Sequence, residues 1–209
     1  MVFALILLQQ WSKADCLGKT PEQVVKMGHR AFADAYSVKY GSSTAAMCDA
    51  ETLFGDALHI TNSKLAKKLP ASKRAWYDAV RKGCRDLMTS AVDSGYALSG
   101  GGTIWAIIGA GVYPKTEEMI RDSLTKKPLP GVRIRSLESR YAELDQVIKD
   151  HETEMTPESL SAAKKAVIEF KKRQLRLTAL SKKGSADDQT RILLHIHWIF
   201  DLAIAKDQI

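Results

Sequence analysis

An aspartate and a histidine three residues apart, Asp56 and His59, have the spacing in this sequence that best fits a metal site. Residues three apart lie on one face of a helix, so the carboxylate and the imidazole can reach the same ion, and Asp49 precedes them on a similar face. A di-metal helical bundle needs this motif twice together with two further carboxylates, and the sequence has no second copy. We therefore predict no bound metal and no other cofactor.

The remaining histidines and cysteines do not form a recognisable catalytic pattern. His195 and His197 are two residues apart, so on a helix they point to different sides and cannot bind one ion together. Cys84 lies in "RKGCRD", where neighbouring basic side chains favour its thiolate. The sequence has no G-x-S-x-G turn for a serine nucleophile. We predict no catalytic residue.

The glycine-rich segment "SGGGTIWAIIGAGVY", residues 99–113, resembles a phosphate-binding loop only in its glycines. A Walker loop ends in Gly-Lys-Ser/Thr, whereas here no lysine occurs before Lys115. Its dense apolar part, residues 104–113, is about half the length of a membrane-spanning helix. We interpret the glycines at 100–102 as a flexible connection and the residues after them as an apolar contact segment, which can pack in the core, against a partner or on a membrane surface. This segment consists of Ile104, Trp105, Ile107 and Ile108.

A group of basic residues in the last third of the chain is the clearest candidate binding site. On a helix over 157–183 they share one narrow sector, opposite the apolar residues Leu160, Val167, Phe170 and Leu177. This face can pair with nucleic-acid phosphates, anionic lipids or an acidic protein surface, and it lacks the interleaved aromatic residues that stack on bases. The basic face consists of Lys165, Lys172, Arg176 and Lys183.

Capping signals predict the helices of the first half. Thr20 followed by Pro21 and Gln23 predicts a helix start with a capping box, and Gly41 predicts its end, so we expect one helix over 21–40. A second helix is predicted over 44–68 and ends before Pro70. A third, from residue 72 to about 95, is amphipathic.

The helical pattern resumes after the glycine-rich segment. Pro114 is predicted to begin a short helix that continues to Lys126, with Glu117 and Glu118 near its N-terminus, where the helix dipole favours acidic residues. Two prolines and a glycine within "KKPLPGVR" then predict a linker over 127–133.

Three further helices are predicted beyond the linker. Apolar residues at alternating steps of three and four from Ile134 indicate the first, Thr156 and Pro157 start the second, and Ser185 caps the third. Because their connections are short, they should form an antiparallel three-helix bundle over 134–209. No strand-like alternation occurs. The fold class is therefore predicted to be all-α, with an N-terminal helical region over 1–126.

The chain has 209 residues and a net charge of +7. Its 45% apolar and 26% charged residues are close to the averages for globular proteins. The apolar run at residues 2–8 is too short to span a bilayer and lacks a basic segment before it, so we expect a strand or helix that docks on the body or on a partner. Three widely spaced cysteines argue against a disulfide framework and for an intracellular, reducing compartment.

These patterns favour a non-catalytic helical accessory or structural subunit of a larger protein assembly. Its expected partners are other protein subunits, which it would contact through helix packing and through the basic face. Two alternatives remain open: a helical protein that binds nucleic acid through the same basic face, and a metal-dependent helical enzyme built on Asp56 and His59. Peripheral membrane contact through the glycine-rich segment or the N-terminus is a further possibility.

Overall fold

The computed structural model describes the backbone of residues 16–99, 104–129, 131 and 134–204, and their side chains except at 95–99, 104, 151 and 204. Within these ranges the chain forms α-helices and no strand, so the predicted all-α class is confirmed. The apolar run at residues 2–8 and the glycines at 100–102 lie outside the described residues. The helices are α1 (Pro21–Met27), α2 (His29–Tyr40), α3 (Thr44–Ala66), α4 (Ala71–Ser99), α5 (Ile104–Leu124), α6 (Leu137–His151), α7 (Pro157–Ser181) and α8 (Ala186–Ile204).

The single helix predicted over 21–40 is wrong, because Gly28 divides it into α1 and α2. The predicted capping box is present: the Thr20 side chain accepts from the Gln23 amide, and the Gln23 side chain accepts from the Thr20 amide. Gly28, however, has φ of +87°, a conformation that glycine adopts without steric strain and that ends a helix. The chain therefore changes direction after Met27.

The predicted start of a helix at Pro114 is also wrong, because α5 begins ten residues earlier at Ile104 and Pro114 lies inside it. Proline has no amide hydrogen to donate to the carbonyl of the preceding turn, so an internal proline weakens a helix. Here Pro114 is buried and the helix continues on both sides of it. Glu117 and Glu118 are consequently in the middle of α5 rather than near its N-terminus.

α5 packs against both α3 and α4, and α3 and α5 run in the same direction. Glu51 lies beside Gly111, His59 beside Glu117 and Thr61 beside Arg121, so positions along both helices increase together. A Cβ on Gly55 would lie 2.4 Å from Cδ1 of Tyr113, so the missing side chain permits this close approach. The antiparallel α4 supplies Arg81 to the same interface.

The last three helices pack on α4 and α5 as well as on one another. α6 and α7 are antiparallel, as the hydrogen bond from Tyr141 to Gln174 and the ion pair between Glu152 and Lys164 indicate. α7 makes its most extensive contacts with α4, and Cδ1 of Leu177 would lie 2.9 Å from a Cβ on Gly83. The predicted three-helix bundle is therefore not confirmed as a unit, and the domain boundary at 127–133 stays a prediction.

Most of the buried apolar side chains belong to one of two clusters. The smaller one joins α1, α2 and α3 around Phe32, Phe54 and Leu58. The larger one joins α4 and α5 to α6, α7 and α8, with Phe170 and Phe200 in contact at 4.6 Å between ring centroids. α8 contacts each of these other four helices, as its almost continuous apolar sequence predicts for a central helix. The Ser185 cap is also confirmed, since its hydroxyl accepts from the Asp188 amide.

Candidate functional site

The helix that carries the predicted basic face is held firmly at its start and along its inner side. Thr156 caps α7 by accepting from the Ser159 amide at 3.2 Å, and Pro157 occupies the first turn. One side of the helix is buried against the body of the protein. Because the inner side is fixed, the rotation of α7 about its axis is fixed, and with it the residues that face solvent. The buried residues of α7 are Ala163, Val167, Phe170, Gln174, Leu177 and Ser181.

Lys165, Lys172 and Arg176 lie exposed on the outer side of α7, as the helical periodicity predicts. The predicted helix over 157–183 is too long, because α7 ends at Ser181, and Lys183 is exposed in the turn that follows. The structure adds a second row of exposed lysines, which we name the second basic row: Lys164, Lys171 and Lys182. At 100° per residue this row lies on the other side of the outward direction from the basic face. The helical periodicity also places the second basic row, which lies outside the narrow sector of the basic face.

Two large apolar side chains, Ile168 and Leu175, separate the basic face from the second basic row. They are 68% and 57% exposed. They are seven residues apart, so they point the same way and stand about 10 Å from each other along the helix. We name this pair the apolar line. Hydrophobicity alone predicts burial for both residues, although the periodicity of α7 places them off its buried side.

Some of the basic side chains have partners on α7, on α6 or at the end of α6, and others have no ion-pair partner among the described side chains. Lys164 pairs with Glu152 at 3.1 Å, and the Lys171 amine lies 4.9 Å from the centroid of the Tyr141 ring. Lys172 donates to Glu169 at 3.2 Å, and this hydrogen bond lowers the pKa of that carboxyl. Among the side chains described, none makes an ion pair with Lys165, Lys182 or Lys183. These lysines remain available to an anionic partner.

The predicted apolar contact segment lies in the first turns of α5. Trp105 is buried, Ile107 and Ile108 are half-buried, and the Ile104 side chain lies outside the described residues. A Cβ on Gly109 would make ordinary contacts with Val92 at 3.6 Å and with Met88 at 3.8 Å. Its role as a contact surface for a partner stays a prediction.

Asp56 and His59 do share one face of α3, but each is hydrogen bonded to a residue of α5. Tyr113 donates to Asp56 Oδ1 at 3.0 Å, and Nδ1 of His59 donates to Glu117 Oε1 at 3.1 Å. Burial raises the pKa of Asp56, although the Tyr113 hydrogen bond acts in the opposite direction. Within the residues that the structure describes, no group of three or more histidine, cysteine or acidic side chains is arranged to hold a metal ion.

A buried carboxylate on α5, Glu117, joins three helices. Its oxygens accept from Arg81 of α4 at 2.7 and 3.2 Å and from Asn62 of α3 at 2.9 Å, in addition to His59. Burial alone would raise the pKa of Glu117, but the hydrogen bonds from His59 and Arg81 lower it below its ordinary value. This Glu117 cluster was not foreseen from the sequence, since its members are far apart along the chain and α5 was predicted to start at Pro114.

The other candidate reactive groups are buried or half-buried. Cys84 is fully buried, and burial raises the pKa of its thiol to about 12, so the expectation that Lys82 and Arg85 stabilise a thiolate is wrong. His195 lies 3.0 Å from the Thr116 hydroxyl, and burial lowers the pKa of its imidazole to about 3. His197 is half-buried on a different side of α8. These groups support the packing of α4, α5 and α8.

Comparison with known proteins does not assign this chain to a family: no family model, curated protein or solved structure matches it. Across the described part of the chain, every helix is too short or too polar to cross a bilayer. The function of the chain is therefore inferred from its surfaces, and on the outer face of α7 two exposed apolar side chains lie between rows of basic ones.

Proposed function

We propose that this chain is a non-catalytic helical accessory subunit that binds an acidic partner protein through the outer face of α7. The observation that supports this proposal is the exposure of Ile168 and Leu175 between two rows of basic side chains. Single exposed apolar residues are common on soluble proteins. Two that point the same way from a rigid helix, with cations on both sides, have the character of a contact surface.

The physical chemistry of this face favours a protein as the partner. Covering the apolar line removes Ile168 and Leu175 from water, which is favourable in proportion to the apolar area buried. The surrounding lysines repel another basic surface and attract an acidic one, so they contribute to specificity and to the rate of association. A partner with acidic side chains around an apolar patch satisfies both parts of the face at once.

Binding of nucleic acid is the second candidate, because the basic face presents Lys165, Lys172 and Arg176 along one side of α7 and Lys183 just after its end. Phosphate contacts by lysine and arginine produce affinity that falls steeply with salt. Nucleic acid would leave Ile168 and Leu175 exposed beside the phosphates, and for this reason we rank it below a protein partner. The metal-dependent enzyme ranks third, since Asp56 and His59 are each hydrogen bonded to a residue of α5.

Site-specific photo-crosslinking tests the proposal. A photoreactive amino acid is placed at position 168 of the full chain in cells that express the protein naturally, and at position 38 as a control, because Val38 is also exposed, at 89%. We expect a discrete adduct with a protein from position 168 and not from position 38. We also expect K165E/K183E to abolish this adduct.

Charge reversal needs its own control. The variant K39E/K68E changes the net charge by the same amount at exposed lysines on α2 and just after α3, and it should retain the adduct. An adduct that nuclease removes would favour the nucleic-acid alternative. The same protein adduct from positions 168 and 38, or no adduct from 168, would contradict the proposal.

A further inference from the structure

We infer that the element of the partner that contacts this chain is an acidic amphipathic α-helix, which lies along the outer face of α7. This inference rests on the proposed function and specifies the chemistry of the partner at the same site. It follows from the order of residues along the middle of the face. That order is Lys165, Ile168, Lys172, Leu175 and Ala179.

These five residues are separated by alternating steps of three and four, and all of them are exposed. Alternating steps of three and four keep successive residues on one side of a helix and are the spacing by which two helices pack along their lengths. Because α7 runs over 25 residues, it presents this spacing over several turns. An extended strand or a loop has no matching period, so a helix is the element that can contact every one of these positions.

The two lysines among these five residues determine the charge of the partner helix. Lys165 and Lys172 alternate with Ile168 and Leu175, so a helix packed here would place some of its own facing residues opposite ammonium groups. A charged residue at a facing position selects the partner and the register of a helix pair. A second copy of α7 would place lysine near lysine, which is unfavourable. Glutamate or aspartate at the opposing positions satisfies the same charges.

The second basic row extends this complementarity to one edge of the face. Lys171 rests against the Tyr141 ring and Lys164 pairs with Glu152, so both side chains are drawn toward α6 and leave the apolar line uncovered. Lys182 continues the row near the end of α7. A partner helix with apolar residues seven apart and acidic residues on both flanks therefore fits the line and both rows.

The arrangement favours a helix over a membrane surface. A helix that lies in a bilayer interface has a broad apolar face that enters the acyl region. Here the apolar line is one residue wide, and Lys172 lies between Ile168 and Leu175 along the helix. A partner helix can place an acidic group against that lysine, whereas the acyl region of a bilayer offers it no counter-ion.

A synthetic peptide tests the inference. The probe is a helix of about 21 residues, three heptads, with leucine at every seventh position and glutamate at the positions around it. The matched control has the same composition, with its leucines moved so that they point in all directions around the helix. Binding to the full chain is measured by titration calorimetry, and the contact residues are mapped by amide chemical shifts.

We expect the probe to bind about tenfold more tightly than the matched control, to shift amides of α7, and to become more helical on binding. I168A/L175A should weaken binding about tenfold, and because alanine favours helix, this variant keeps α7 intact. V38A/L65A, a pair of exposed apolar residues on α2 and α3, should bind as the unaltered protein does. K165E/K183E should also weaken binding about tenfold, unlike K39E/K68E.

Equal binding of the probe and the matched control would overturn the inference, because charge alone would then explain the affinity. So would amide shifts confined to other helices, or binding to phosphatidylserine vesicles that depends on Ile168 and Leu175 when the probe does not bind. The proposed function is tested separately by the crosslink at position 168. If that crosslink identifies a protein but the probe does not bind, the accessory-subunit proposal is retained and the inference of a helical partner is rejected.

Discussion

The charged cluster that joins α3, α4 and α5 should be sensitive to loss of a single negative charge. Glu117 is fully buried, and it is the acceptor for Arg81, His59 and Asn62. The substitution E117Q keeps the shape of the side chain and one acceptor oxygen, but it removes the charge opposite the Arg81 guanidinium. Asp78, 2.8 Å from Arg81, would be the remaining acidic partner.

The size of the effect follows from the burial of these groups. Removing one partner of a buried ion pair destabilises a protein by about 3–5 kcal/mol. Asp78 offsets part of this loss but is largely exposed, so its pairing with Arg81 is screened by water, and exposed pairs contribute about 0–1 kcal/mol. Since glutamine keeps an acceptor, we expect E117Q to lower the free energy of unfolding by about 2–3 kcal/mol, and Tm by about 4–12 °C for a chain of this size.

Urea unfolding, followed by circular dichroism, measures this loss. R81M removes the positive charge, and E117Q/R81M should be less destabilised than the sum of the two single variants by about 1 kcal/mol or more. The pKa of Glu117 is lowered in the folded protein, so its contribution is complete above pH 4.5 and is lost as pH falls. The difference between E117Q and the unaltered protein should therefore shrink from pH 5 to pH 3. A loss below about 0.5 kcal/mol at pH 7 would refute the reasoning.

Three other predictions concern packing and protonation. G109A should stabilise the protein by about 0.5–1 kcal/mol, because the new Cβ makes ordinary contacts within a helix, and a loss of stability in thermal unfolding would contradict a helical Gly109. G55A should destabilise it by about 1–2 kcal/mol in the same assay, because its Cβ would overlap the Tyr113 ring; an unchanged Tm would contradict that contact. Burial lowers the pKa of His195 from 6.5 to about 3, so the unfolded chain takes up a proton below pH 6.5 that the folded protein does not. Unfolding free energy should fall below pH 6.5 with a slope that approaches about 1.4 kcal/mol per pH unit near pH 5, and H195Q should show a smaller slope.

Much of the helical pattern can be predicted from the sequence because the signals are local. The Thr20 capping box and the Ser185 cap each depend on residues within one turn, and both are present. The apolar side of α7 follows from its own periodicity, and so does the exposure of the basic face. Local signals of this kind require no knowledge of what packs against the helix.

The errors arise where packing overrides local preference. Pro114 normally marks a helix start, yet α5 continues through it while packed along α3. Gly28 ends α1 by taking a positive φ, which the sequence permits but does not require. The Glu117 cluster depends on the parallel alignment of α3 and α5, a tertiary arrangement with no local signal. Ile168 and Leu175 are apolar, so hydrophobicity alone predicts burial for them, and only the periodicity of α7 places both off its buried side.

The size of the natural assembly that contains the chain tests the central claim most directly. Extracts of cells that express either the unaltered protein or K165E/K183E are fractionated by size, and the chain is detected in each fraction. We predict that the unaltered protein and K39E/K68E elute in a larger complex, whereas K165E/K183E elutes at the 23.1 kDa expected of a free monomer. If K165E/K183E remains in the same complex as the unaltered protein, the outer face of α7 is not its binding surface.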